Sequence, residues 1–163
     1  MRAFQRGATL VELVITIMII GIAIAGVVGA FSLIAGRSAD PLNQTRAVKL
    51  AQLYMDEILT RKYDHQVPAG GVPKYTGACT IGKEAGEVRA SFDDVDDYHS
   101  LNGPPTAVDG TGLPGYQGFS VAVTVACAGA DLGLAERDAK RIDLDIRDPS
   151  GGRYAFSAYR ANF

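Results

Sequence analysis

Three regimes of apolar patterning divide this chain. The first is continuous: from Leu13 to Gly36, 24 consecutive residues carry no charge. A helix rises about 1.5 Å per residue, so the run reaches roughly 36 Å and can cross a hydrocarbon layer of about 30 Å. A buried core helix would show a polar stripe, and this run has none, so it reads as a transmembrane helix. The second regime has helical period. Asp40-Pro41 reads as an N-cap followed by a first-turn proline, and a helix is expected from Leu42 to about Arg61. Val48, Ala51, Met55 and Ile58 form its apolar stripe, widened by Ala47, Leu50 and Tyr54. Arg46, Lys49, Gln52, Asp56 and Glu57 supply the wet face.

The third regime alternates with period two. Residues 63–73 are turn-rich. A short strand is expected from Lys74 to Ile81, and a weaker one from Gly86 to Phe92. Residues 103–115 read as a loop rich in Gly and Pro. The clearest alternation comes last: Phe119, Val121, Val123, Val125 and Cys127 against Ser120, Ala122, Thr124 and Ala126. Ile142, Leu144 and Ile146 alternate with Asp143, Asp145 and Arg147. Asp148-Pro149-Ser150-Gly151-Gly152 is a turn, and Tyr154, Phe156 and Ala158 alternate back, so residues 141–160 form a hairpin. The expected class is α+β, with an amphipathic helix laid on an antiparallel sheet that is dry on one face.

Composition narrows the function classes. Of the 163 residues, those after 36 suffice for one globular domain and not two. A net charge of −2 gives no electrostatic case for a nucleic-acid partner. Cys79 and Cys127 have no neighbour at zinc-ligand spacing. Cys127 shares the parity of the valines and Cys79 that of Tyr75 and Ile81. In an exported domain one disulfide is expected, two buried free thiols being the alternative. His65 and His99 are the only histidines, and no nucleophile motif or glycine-rich phosphate loop accompanies them. No enzyme activity and no cofactor are expected. Asp93, Asp94, Asp96 and Asp97 are the densest acidic group. They are read as a solvated loop with capping aspartates, a calcium site through these four being the alternative.

The most informative chemistry stands at the mouth of the apolar run. Arg2 and Arg6 hold the N-terminus in the cytoplasm. A single acid, Glu12, opens the helix. A carboxylate at mid-bilayer costs on the order of 3 kcal/mol or more, so it needs a partner or an interfacial place. Gly21, Ala25 and Gly29 align small residues on one helix face, which admits close approach of another helix. Ala35 and Gly36 are small enough for an ordinary signal cleavage, but the Gly7-Ala8 junction lies on the other side of the run.

Arg6-Gly7-Ala8-Thr9-Leu10-Val11-Glu12-Leu13 resembles the class III signal of type IV prepilins and type II secretion pseudopilins. The resemblance implies cleavage by a prepilin peptidase between Gly7 and Ala8, N-methylation of Ala8, and a filament role for Glu12, paired with the new amine of a neighbouring subunit. It implies three parts: a leader at 1–7, a membrane and filament-core helix at 8–36, and a pilin-like head at 37–163. The head holds the second half of the helix at 41–61 and a sheet within 74–163. The family usually has Phe after the cut; Ala8 there points to a minor subunit. The acidic segment 92–99, Leu50-Ala51-Gln52, Glu57-Ile58-Leu59 and the Asp148–Gly152 turn resemble minor pilins of the MSHA type (MshD-like). The expected partners are the peptidase, other pilin subunits and the assembly machinery with its ATPase, and the inner membrane before assembly. The head would be periplasmic and then on the pilus, serving assembly and surface adhesion. A type II secretion minor pseudopilin is one alternative, and a membrane-anchored periplasmic binding domain another.

Overall fold

The structure, a computed structural model, describes residues 9–37, 40–68 and 70–162. The chain divides into two compact units, one ending at Pro41 and the other running from Leu42. The first unit holds α1, Leu10–Arg37. It extends three residues upstream of the uncharged run and takes in Glu12 in its first turn. The 23 residues Leu10–Ser32 are long and apolar enough to cross a membrane, by length and composition.

The second unit follows from α2, Asp40–Leu59. Its dry face consists of Ala47, Leu50, Ala51, Tyr54 and Ile58, each 3 % exposed or less. Val48, expected in the stripe, is 38 % exposed. The stripe is centred one position earlier, on the set spaced 3, 4, 7 and 11 from Ala47, and Val48 lies about 100° around the helix from it. Glu57, expected on the wet face, is also turned inward, with its side chain 8 % exposed.

The sheet has four strands in the order β1-β2-β3-β4: β1 Asn102–Gly103, β2 Ser120–Cys127, β3 Ala139–Arg147 and β4 Arg153–Ala161. All neighbours are antiparallel, with Val123 opposite Leu144 and Leu144 opposite Phe156. Phe119, just before β2, with Val121, Val123 and Val125 of β2 and Ile142, Leu144 and Ile146 of β3, joins the α2 face in one core, closed by Phe92, Val95 and Tyr98. Burying an aliphatic side chain of this size contributes about 1.5–3 kcal/mol, so the α2 and β2–β3 faces dominate the head's stability. The hairpin turn is built on Asp148. Its Oδ1 accepts the N–H groups of Ser150 (2.8 Å) and Gly152 (2.9 Å), and Tyr154 Oη donates to Oδ2 at 2.9 Å. Gly151 has φ +90°, and a Cβ on Gly152 would stand 2.6 Å from Asp148 Oδ2, so both glycines are required there.

Two expected strands are absent. Residues 74–81 run without strand pairing. The backbone of Tyr75 is instead held by the Asn162 side chain, whose Oδ1 accepts its N–H and whose Nδ2 donates to its carbonyl, each at 2.8 Å. A side-chain amide thus satisfies the groups that a neighbouring strand would. The 86–92 segment turns as a short 3-10 helix, Arg89–Ser91, after Gly86 at φ +91°. The loop at 103–115 remains irregular, and its first residue closes β1 against β2.

Candidate functional site

At the start of α1, Thr9 Oγ1 accepts the N–H of Glu12 at 3.3 Å, and Leu13 N–H donates to the Thr9 carbonyl at 3.2 Å. Thr9 is therefore the N-cap and Glu12 the third helical residue, the spacing of a capping box. This cap was not part of the sequence reading, although Thr-x-x-Glu is its signature. Negative charge in the first turn also suits the helix dipole. Gly7 and Ala8, the expected cleavage and methylation positions, lie outside the described residues.

Fourteen large apolar side chains from Leu10 to Phe31 are each at least 50 % exposed. A Cβ placed on Gly21 or Gly29 would meet nothing within 4 Å. Thr16 and Ser32 return their hydroxyls to the carbonyls of Glu12 and Val28, at 2.7 and 3.0 Å, so they place no unpaired donor on this surface.

In the head, charge is drawn inward at two places. Arg89 donates to both carboxylate oxygens of Glu57 at 2.6 Å and lies 5.1 Å from the centre of the Tyr98 ring, and 5.7 Å from those of Tyr54 and Phe92. Tyr98 Oη donates to the same carboxylate at 2.6 Å. Burial pushes Glu57 up, and the Arg89 and Tyr98 hydrogen bonds outweigh it, so its carboxyl rests below the ordinary range. Fork-to-fork pairing of this kind fixes orientation as well as charge.

The second place is Lys140, fully buried on β3. Its Nζ donates to the Tyr63 carbonyl at 2.6 Å and to Asp96 Oδ2 at 2.5 Å, stands 3.8 Å from Asp64, and lies over the Tyr63 ring. Burial pushes the Asp96 carboxyl up to about 7 against the pull of Lys140.

The acidic segment is therefore not a solvated loop. Asp94, Asp96 and Asp97 are each 4 % exposed or less. Their carboxylates go to separate partners. Asp93 takes Lys62 Nζ at 2.6 Å and faces His65 Nδ1 at 3.5 Å. Asp94 Oδ1 accepts the N–H groups of Asp96 and Asp97, and Asp97 Oδ2 those of Asp93 and Asp94. The capping role holds; the exposure does not, because Lys140 and Val95 draw the turn into the core. His99 is likewise engaged: its Nδ1 accepts the N–H of Val125 at 3.2 Å, where a strand carbonyl would otherwise stand.

Cys79 and Cys127 form a disulfide with Cα atoms 6.2 Å apart. Both residues are half-buried, at the end of β2 rather than in the core.

No match was found among curated proteins or among solved structures. Residues 2–28 match the family model described as the prokaryotic N-terminal methylation motif, so the chain carries the class III signal of type IV pilin- and pseudopilin-like subunits, the motif that a prepilin peptidase processes ahead of assembly by pilus or secretion machinery.

Proposed function

We propose that this chain is a minor structural subunit of an MSHA-like type IV pilus, cut between Gly7 and Ala8 and assembled through α1. One observation carries the reading: the matched motif leads into a capped helix whose apolar surface is open from Leu10 to Phe31. Before assembly that surface is covered by the inner membrane; in the filament, by the equivalent helices of other subunits. Glu12, at the first turn, pairs with the methylated amine of Ala8 on a neighbour. Breaking a buried pair of this kind costs about 3–5 kcal/mol, enough to decide whether a subunit enters the filament. Gly21, Ala25 and Gly29 form the face of closest approach. Ala8 and the resemblance of the head segments favour a minor MSHA-type subunit over a major one.

Two measurements test this. Mass spectrometry of the mature protein is expected to show N-methylalanine at Ala8; an intact Met1 or a cut near Gly36 overturns the reading. Glu12→Ala is expected to insert into the inner membrane normally and to be lost from sheared pili. Normal incorporation of the variant defeats the pairing. Recovery of the unsubstituted chain only in a periplasmic secretion filament, and never in surface pili, assigns it instead to a pseudopilus.

A further inference from the structure

Between the disulfide and the core, the chain from 82 to 88 forms no strand and no helix. It nevertheless brings two glutamates against the acidic turn. One carboxylate oxygen from each of Glu84, Glu87 and Asp97 lies within 4.8 Å of the other two. Asp97 is 1 % exposed. Its Oδ2 is occupied by two backbone N–H groups, at 2.7 and 3.1 Å. Its Oδ1 is buried and receives no backbone or side-chain donor. A buried carboxylate oxygen without a donor carries a desolvation cost that most native structures relieve. Here the nearest groups are two more carboxylates, and the side-chain contact with Asp97 pushes the Glu87 carboxyl up to about 7, the mark of crowded like charge. Glu87 Oε2 also accepts the Glu84 N–H at 3.0 Å, which holds both glutamates in one turn.

We propose that Glu84, Glu87 and Asp97 form a calcium site that pins the 82–88 segment to the core turn at 96–98. The donors are all hard oxygens, which selects alkaline-earth ions over zinc or copper. The three oxygens lie within 4.8 Å of one another, no farther apart than twice a calcium–oxygen bond of about 2.4 Å, so one ion can reach all three, with water completing six to eight ligands. Magnesium demands a near-ideal octahedron at about 2.1 Å, which an irregular segment with one fixed and two exposed or half-exposed ligands does not offer. The ion would satisfy Asp97 Oδ1 and turn a repulsive triad into a cross-link. The site uses no residue of α1, so its presence or absence leaves the filament reading untouched.

The test uses the full-length protein in detergent micelles, stripped with a calcium chelator and dialysed. Calorimetric titration with calcium chloride is expected to show one site with a dissociation constant on the order of 10⁻⁴–10⁻³ M. At tenfold excess over that constant, the unfolding midpoint should rise by about 5 °C. The double variant Glu84→Gln/Glu87→Gln keeps an acceptor oxygen at both positions and touches only the surface side of the site. It is expected to fold, with an unchanged circular dichroism spectrum, and to lose both the binding heat and the midpoint shift. Glu136→Gln is expected to retain both. Absence of calcium heat in the parent, retention of binding by the double variant, or equal binding of magnesium overturns the assignment.

Discussion

Arg89 shows how one side chain links the outer helix to the irregular part of the head. Its guanidinium spans both oxygens of Glu57 on α2 and is flanked by three aromatic rings. Replacing it with Met leaves the Glu57 carboxylate, its side chain 8 % exposed, with the Tyr98 hydroxyl and the longer 3.6 Å contact from Arg61. That substitution is expected to cost about 1.5–3 kcal/mol in urea unfolding at pH 7. The pair also sets a pH dependence. The folded carboxyl of Glu57 sits below its ordinary value of 4.5. As pH falls below that value the unfolded chain binds a proton first, so the stability due to the pair is complete above it and is lost as pH falls through the folded value. Glu57→Gln should therefore be less stable at pH 7 yet lose less on acidification to pH 3. Parallel pH curves for the two proteins would show that the pair is not the source. In the sequence, Glu57 looked like one more polar residue on a wet face. Its inward turn depends on Arg89, which is 32 residues away, and no periodicity on α2 records it. Lys140 went unread, although it shares the parity of Ile142, Leu144 and Ile146, where a lysine needs a buried carboxylate; the aspartates that supply it were taken for a solvated loop.

At the scale of elements, legibility followed alternation. β2, β3 and the hairpin were readable because β2 and β3 keep one dry face over eight or nine residues and β4 alternates between exposed and half-buried positions. Within the stretch 74–92, the segments 74–81 and 86–92 read as strands because a few alternating residues sufficed to suggest them. What holds that stretch is tertiary: the Asn162 amide, the Arg89 fork and the Cys79–Cys127 bridge. The bridge closes a separation of 48 residues, and chain entropy assigns such a link about 4 kcal/mol, with about 2–4 usual in practice. Cys79→Ser/Cys127→Ser is therefore expected to lower stability by about 2–4 kcal/mol. Because the bridge meets the sheet at the end of β2, the loss should open the 74–88 segment first. Limited proteolysis is the check. In the double variant the first cuts should fall between Lys74 and Val88, while the β3–β4 hairpin stays intact. First cuts in the hairpin would mean that the bridge stabilises the sheet itself rather than the segment it tethers.

For the whole molecule, the two units answer to different surroundings. Among the described residues, every core residue of the head lies at Ala47 or beyond, and the apolar side chains of α1 from Leu10 to Phe31 are open. This division was legible from the apolar run and the motif at its mouth, because membrane length and a lone first-turn acid are local features. The particular filament was not, since that is decided by surfaces between separate chains. The division has a direct consequence for a fragment of residues 40–163. It keeps α2, the sheet, the disulfide and both buried ion pairs, and it loses a helix none of whose described residues belongs to the head's core. Each large apolar side chain left in water forgoes about 1.5–3 kcal/mol, so the fourteen on α1 make the full chain dependent on detergent or membrane. The fragment should be soluble and monomeric by size-exclusion chromatography, form the disulfide, and unfold cooperatively within about 2 °C of the full chain in micelles, a difference of well under 1 kcal/mol. A fragment that aggregates, or that loses its near-ultraviolet dichroism while keeping helix and strand, would show that the head needs α1 to pack its core.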